Sequence, residues 1–376
     1  MGRVARAAAT AGLLILVAAA VVLGQYLAAP VPPIPAPALS QQLAGLPPLQ
    51  NVVQDQGNAV SLPDGRTLWI FADTAQLLTA PKFFVTSSAA IATGRDLRLH
   101  YLSDRRGIPI EFLPRTAVER ADQQPGVSYT AIWPTGATAL PDGRIVIAYA
   151  KYAVRFKPVV AFDFLAGGLF TYRYPGHGEL SQPGRADRPA NRFADLWTPQ
   201  DGPIASPVYS GGYLYFTRCE NFRCFSLRST PAEMADRTSY RWWTGSGWSL
   251  DPDLRAPLRF GSGVPGRNPS IAWSPALGLF TMADTSGGIQ AAQGLLWVAR
   301  NPWGPWSRAA PFPLPQCPRG GCYTLNVHPL LSAPGTLRIS FATNGVGPYV
   351  RVVDVPIRVD RDGTVPTIST APAGAR

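Results

Sequence analysis

The sequence predicts an all-β fold, a five-bladed β-propeller behind an apolar N-terminal segment. A strand, turn, strand unit recurs five times along the 376 residues. Helical periodicity is scarce between residues 46 and 360, and the chain's 36 Gly and 39 Pro punctuate short runs of Val, Ile, Tyr, Phe and Trp. A chain of this length can also bury a sizeable single core.

At the N-terminus, Arg3 and Arg6 precede an uncharged stretch, residues 7–25, that reads as a signal peptide or a signal anchor. The run approaches the roughly 20 residues needed to span a bilayer and exceeds the usual signal-peptide core of about 7 to 15. No strong Ala-x-Ala site precedes the Pro-rich segment that follows, and no cysteine is placed there for lipidation. The expectation is therefore an uncleaved anchor over residues 1–29, its amino end cytoplasmic by the positive-inside rule. Residues 30–48 would form a stiff Pro-rich spacer. The propeller, residues 49–360, would then lie in the cell envelope, outside the cytoplasm, or be secreted if the segment is cleaved. Residues 361–376, rich in Thr, Ala and Pro, are expected to be a disordered tail.

The first repeat unit is residues 55–74, a hairpin closed at Pro63, Asp64 and Gly65. Residues 137–149 nearly copy it, and residues 207–216, 270–282 and 328–341 follow the same plan. Turn centres near 64, 142, 211, 276 and 334 give spacings of 78, 69, 65 and 58 residues. These exceed a minimal blade of about 40 to 50 residues but suit blades with long loops. A β-sandwich with chance Pro and Gly turns is the alternative architecture. Residues 349–359 read as a strand that would close the ring beside residues 49–53.

Counting outward from the first turn, Leu62 faces Arg66 and Asp55 faces Asp73. Directly opposed residues on an antiparallel pair have Cβ atoms about 5 Å apart and share a face. Two carboxylates so placed suit a retaining glycoside hydrolase, in which about 5 to 5.5 Å separates the two groups. They cannot both ionise easily, so one pKa should rise and supply an acid. The opposing view makes both residues solvated strand ends, as Asp64 and Asp142 are turn formers.

The net charge of +11 is less informative than its size suggests, because the arginines are scattered and only three of the 34 basic residues are lysines. With no basic helix or RNP-like motif, nucleic acid is excluded as a partner class. Four cysteines form two local pairs, Cys219/Cys224 and Cys317/Cys322. Two local disulfides are expected of an exported chain, and a zinc site built from both pairs is the rival. No nucleotide-binding glycine loop, Ser/His/Asp elbow, helix-borne zinc motif or calcium loop emerges.

Residues 227–249, 299–307 and 327–332 resemble segments of a bacterial five-bladed propeller family, formerly a domain of unknown function, now associated with endo-D-arabinanase activity. The resemblance spans about residues 50–358. It implies a glycoside hydrolase acting on arabinofuranosyl linkages of cell-wall arabinan or arabinogalactan. It also implies that the family's paired acids match Asp55 and Asp73, and Asp73 is assigned here as acid and Asp55 as nucleophile. Two departures from the family pattern, Gln56 after Asp55 and Ala72 before Asp73, could crowd these carboxylates. Against the hydrolase stands a non-catalytic envelope propeller that binds glycan or a protein.

Weaker candidates for substrate binding complete the reading. Turn counting in blade 4 sets Asn268 opposite Asp284, which could orient substrate. Glu220 occupies the comparable strand end in blade 3, where neighbouring Cys219 suggests a structural loop. His328 stands where the fifth inner strand enters the central channel, a place compatible with a bound structural ion, although a lone histidine more often packs in a core. No other cofactor is called for. Of the ten Trp, most should seal contacts between blades, and Trp133 is the one placed at the site.

Overall fold

The computed structural model describes residues 40–93, 96–124, 126–156, 160–174, 195–266, 268–286, 291–319, 321–344 and 348–370. The expected membrane anchor and most of the expected spacer lie outside them. Among the described residues no helix is long and apolar enough to cross a membrane.

The chain folds as five blades of mainly antiparallel strands with almost no helix. Each expected turn closes a hairpin whose first strand is the innermost of its blade. The inner strands are Val53–Ser61, Ser128–Ala139, Ala205–Ser210, Ser270–Ser274 and Cys322–Val327. Each pairs with the next strand in sequence: Arg66–Gln76, Arg144–Arg155, Tyr213–Glu220, Leu279–Thr285 and Thr336–Thr343. In the first blade Leu62 N–H donates to the Arg66 carbonyl at 2.8 Å and Gly65 takes a left-handed φ of 79°, the conformation this tight turn needs.

Burial follows from strands covered on both faces. Apolar side chains fill the spaces between successive blades in one cluster for each of the five junctions, and a sixth, smaller cluster of Tyr129, Ala131 and Val154 lies within blade 2. Ile70, Phe112, Ile147 and Tyr149 join blades 1 and 2, for example, and Trp69, Phe71, Val350 and Val352 join blades 5 and 1. Burying such side chains contributes about 1.5 to 3 kcal/mol each. Most tryptophans belong to these seams, as expected of large aromatics.

Ring closure differs from the sequence expectation. Gln41–Gln42 pairs with Val350–Asp360 and supplies the outer edge of blade 5, so residues 40–48 are part of the domain rather than a spacer. The cause is Leu43, 2% exposed and packed with Trp69, Val350 and Val352. Arg351 adds a bond from its Nε to Ser40 Oγ at 2.6 Å. The tail also departs from expectation: Thr367–Thr370 pairs with Val350–Asp360 because Ile368 is buried in the cluster between blades 4 and 5.

Both local cysteine pairs are disulfides, Cys219–Cys224 and Cys317–Cys322, and no free cysteine remains. Among the described residues no group of three or more His, Cys, Asp or Glu converges as for a metal. The first bond ties the second and third strands of blade 3 beside the turn that joins them, and the second fixes the start of the fifth inner strand.

Candidate active site

Three of the five inner strands bring their irregular ends together. Each has a break in its ladder: around Gln56 and Gly57 in blade 1, between Pro134 and Gly136 in blade 2, and between Tyr323 and Asn326 in blade 5. Close approach between neighbouring blades accompanies the first two of these bulges. A Cβ on Gly136 would lie 2.9 Å from the Ser206 backbone, and one on Gly57 would lie 2.8 Å from Val350 Cγ1. A bulge turns the side chains that precede it away from the channel direction followed beyond it. Asp55, Trp133 and Tyr323 each stand just before such a break.

These residues converge with Asp73 and Tyr129 on one cluster. Trp133 Nε1 donates to Asp73 Oδ1 at 2.9 Å, and the Tyr129 hydroxyl donates to Asp73 Oδ2. Tyr323 donates its hydroxyl proton to Asp55 Oδ2 at 3.0 Å, while Asp55 Oδ1 has no partner in the protein. Both carboxylates are half-buried. Burial, with the Asp73 charge as the next cause, pushes the Asp55 carboxyl up to about 7. Burial also raises Asp73, to about 6, against the opposing pull of the Tyr129 and Trp133 hydrogen bonds and the Arg115 charge. The pair therefore holds one group poised to keep a proton and one better supplied to carry charge.

The backbone at Asp55 is held in an uncommon state. Gln56 has a φ of 68° and Gly57 a φ of 91°, so a non-glycine residue stands in the left-handed region beside a carboxylate. Such a residue costs about 1 to 3 kcal/mol and persists only where its surroundings over-determine it. Here Asn326 Nδ2 donates to the Gln56 carbonyl at 3.2 Å and Ser340 Oγ donates to the Gly57 carbonyl at 2.9 Å. At the other departure, Ala72 is buried and its carbonyl accepts the Thr74 hydroxyl at 2.9 Å. Gln56 and Ala72 thus belong to the conformation that positions the carboxylates.

An aromatic wall extends from the same cluster along blade 2. Tyr129 meets Phe84 edge-on at 5.2 Å and Phe156 at 5.8 Å, and Trp133 packs on Tyr152 at 5.1 Å and Phe162 at 5.8 Å. Phe156 and Phe162 are 44% and 55% exposed, so the wall runs from the carboxylates out to solvent.

The remaining expected site residues lie elsewhere. Ser274 pairs with Leu279, which shifts the blade 4 register by one from the count and carries Asn268 off the position opposite Asp284. Asn268 is exposed before the inner strand begins. Asp284 is buried and caps backbone, accepting from Gly266 N–H at 2.5 Å and Thr285 N–H at 2.7 Å. Its burial raises its pKa to about 6. Glu220 pairs with Arg218 at 2.6 Å.

His328 lies in the channel wall, its ring 4.9 Å from Trp69, and burial with the Arg338 charge lowers its pKa to about 3. Its Nε2 is 2.8 Å from Ser340 Oγ, and since that hydroxyl donates to Gly57, Nε2 carries the proton in this bond. His328 therefore braces the Asp55 backbone through Ser340. The adjoining channel cavity, about 40 Å³, is lined by Asn58, Ser206, Ser270, Asn326 and His328 among others, with no carboxylate. That donor set suits a water at least as well as a hard cation.

Sequence reasoning missed Tyr129, Tyr323 and Arg115. Tyr129 carried a usable signal, since it lies four residues before Trp133 on one strand and so shares its face. Nothing local marks Tyr323, whose position depends on a bulge.

No protein-family model matches the chain, and no curated protein sequence matches it. Among solved structures it is similar to a protein of Bacteroides ovatus ATCC 8483 assigned as a hydrolase, at 17% identity and a TM-score of 0.58, over 80% of this chain and 85% of that one. It is also similar to a GH43_1 enzyme from Xanthomonas citri, at 11% identity and a TM-score of 0.51, over 90% of this chain and 96% of that one. The likeness is one of fold. Identities this low carry no residue roles across, so the chemistry of the site rests on its own geometry.

Proposed function

We propose that the protein is a retaining, endo-acting glycoside hydrolase that cleaves arabinofuranosyl linkages in cell-wall arabinan or arabinogalactan. The observation that carries this reading is the Asp55/Asp73 pair, close enough in the irregular part of one hairpin for the Asp73 charge to act on Asp55, both raised in pKa at the foot of an aromatic wall. The similarity in fold to a GH43_1 enzyme supports the broader class of glycoside hydrolase, and the arabinofuranosyl substrate and the retaining, endo-acting reaction rest on the sequence resemblance and on the two carboxylates.

The hydrogen bonds favour the reverse of the roles assigned from sequence. Asp55 accepts one side-chain hydrogen bond, from Tyr323, where Asp73 has two donors and the Arg115 charge, so Asp55 is the proton donor to the leaving glycosidic oxygen. Asp73 keeps its negative charge through two donors and Arg115, and it attacks or stabilises the anomeric carbon. After the first step Asp55, now deprotonated, removes a proton from the incoming water. The wall of Tyr129, Trp133, Phe156 and Phe162 stacks on the apolar faces of the sugar chain.

The test is incubation of the full chain with arabinogalactan and with several arabinans, following released oligosaccharides for wild type, Asp55→Asn and Asp73→Asn. Release by wild type that each substitution abolishes supports the hydrolase. No release from any arabinan by folded wild type would overturn it in favour of a glycan-binding propeller.

A further inference from the structure

Blade 3 holds a second cavity, about 460 Å³, none of whose lining residues belongs to the Asp55/Asp73 cluster. Its walls include Arg218, Arg237 and Arg255 together with Trp242 and Tyr240, and Asp201 is the acidic residue among them. The arginines differ in how fully they are paired. Arg237 binds Asp201 at 2.6 Å. Arg218 is 8% exposed and bonds through Nη2 to Glu220 and to the Gln200 carbonyl, leaving its Nε–H buried without a partner. Arg255 reaches Glu220 at 3.6 Å and the Pro252 carbonyl at 2.9 Å, and its Nε–H is likewise buried and unpartnered.

Two unmade donors on cationic groups are costly, about 1 to 3 kcal/mol each or more for charged groups. Three guanidinium groups against the carboxylates of Asp201 and Glu220 also leave one positive charge uncompensated. The frame around them is rigid. Cys219 and Cys224, directly paired and disulfide-bonded, fix the strand end that carries Arg218, and the Arg255 guanidinium lies over the Phe225 ring at 5.1 Å and the Trp242 ring at 5.8 Å. Donors held in place before a ligand arrives lose little entropy on binding it.

We propose that this cavity binds an anionic sugar, its carboxylate or phosphate held by the Arg218 and Arg255 guanidinium groups that line it and its ring against Trp242 and Tyr240. A planar or tetrahedral anion accepts guanidinium hydrogen bonds well, and the apolar face of a sugar ring matches an aromatic wall. The site would hold an acidic glycan segment on blade 3, apart from the Asp55/Asp73 cluster, and it does not depend on what that cluster catalyses.

The test titrates the full chain with galacturonate, glucose 6-phosphate and neutral glucose, reading tryptophan fluorescence and ligand-observed NMR. One or both acidic sugars should bind at least about tenfold more tightly than glucose. Tighter binding of galacturonate identifies a uronic acid as the natural group, and tighter binding of glucose 6-phosphate identifies a phosphorylated glycan. Arg255→Gln should weaken that binding by about tenfold with the thermal melt preserved. Arg237→Gln, at the residue already paired with Asp201, should weaken it less. Equal binding of all three sugars, no binding of any, or wild-type affinity in a folded Arg255→Gln variant would overturn the proposal.

Discussion

Asp55 and Asp73 both lie in the stretch of the first hairpin where two irregularities in its ladder cancel. Asn58 pairs with Ile70, Gln56 then pairs with Phe71, a shift of one, and Gln54 pairs with Thr74, which restores the original register. The left-handed Gln56 and Gly57 make that double shift, and it presents Asp55 towards Tyr323 on blade 5 while Asp73 meets Tyr129 and Trp133 on blade 2. The two carboxyls are thus held by different blades, Asp55 by one side-chain donor and Asp73 by two.

Loss of either carboxyl should remove hydrolysis without unfolding the protein. Asp55→Asn and Asp73→Asn are each expected to lower kcat on arabinan by about 10² to 10⁴ or more. Thermal melts at pH 8 should show both variants at least as stable as wild type, since each substitution removes a half-buried charge from a repelling pair. Retained activity in Asp73→Asn would reject its assignment as the charged partner.

The same pair makes stability depend on pH. Asp55 and Asp73 rise from an ordinary 3.8 to about 7 and about 6, so between about pH 4 and 7 the folded state binds more protons than the unfolded chain. Stability from this pair therefore falls as pH rises through that window. The expected outcome is a Tm a few degrees higher at pH 5 than at pH 8 relative to an Asp55→Asn/Asp73→Asn double variant, which should lose this component.

Activity against pH should report the two partners separately. Tyr323→Phe removes the donor that lowers Asp55, so the alkaline limb of kcat, set by loss of the Asp55 proton, should move to higher pH. Tyr129→Phe removes a donor from Asp73, so the acidic limb, set by its protonation, should also move upward. Profiles measured on one arabinan substrate decide this, and shifts of the opposite limbs would exchange the two roles.

The aromatic wall should act on binding more than on chemistry. Phe156→Ala and Phe162→Ala are expected to raise KM for long oligosaccharides by about tenfold, each removing a stacking surface worth about 0.5 to 1.5 kcal/mol beyond the area it buries. Their kcat on a short activated arabinoside should stay near wild type. A fall in kcat with unchanged KM would place the wall outside the substrate path.

Much of this arrangement was legible in the sequence, for definite reasons. The five turns are marked by Pro, Gly and Asp at fixed offsets, and the strands between them are runs of β-formers, so blade number followed from local chemistry. Counting along an even ladder kept the register of the first hairpin outside Asp55 and Asp73 because the two shifts cancel, while the two residues themselves fall within the irregular stretch. The same counting in blade 4 misplaced Asn268 by one, since its turn is one residue different in length and no second shift corrects it. Gln41–Gln42 closing blade 5, Ile368 anchoring the tail and Tyr323 reaching Asp55 all depend on contacts between residues far apart in sequence, which no local pattern encodes.

The bulge beside Asp55 offers the sharpest separation of strain from contact. Gly57→Ala places a Cβ 2.8 Å from Val350 Cγ1 at a φ of 91°, so it incurs a steric clash and a left-handed penalty together. Val350→Ala in the same chain removes the clash and leaves the penalty. The single Gly57→Ala variant should lose about 2 kcal/mol or more of stability in urea unfolding. Val350→Ala alone should cost a further cavity. Together they should cost less than the sum, because the methyl group that obstructs the alanine is gone. Activity should not follow that recovery: the alanine still forces the backbone that holds Asp55, and kcat should remain depressed in the double variant. Additive stability losses would show that Val350 is not the obstructing group, and recovered kcat would show that the left-handed turn at Gly57 is not what aims the carboxylate.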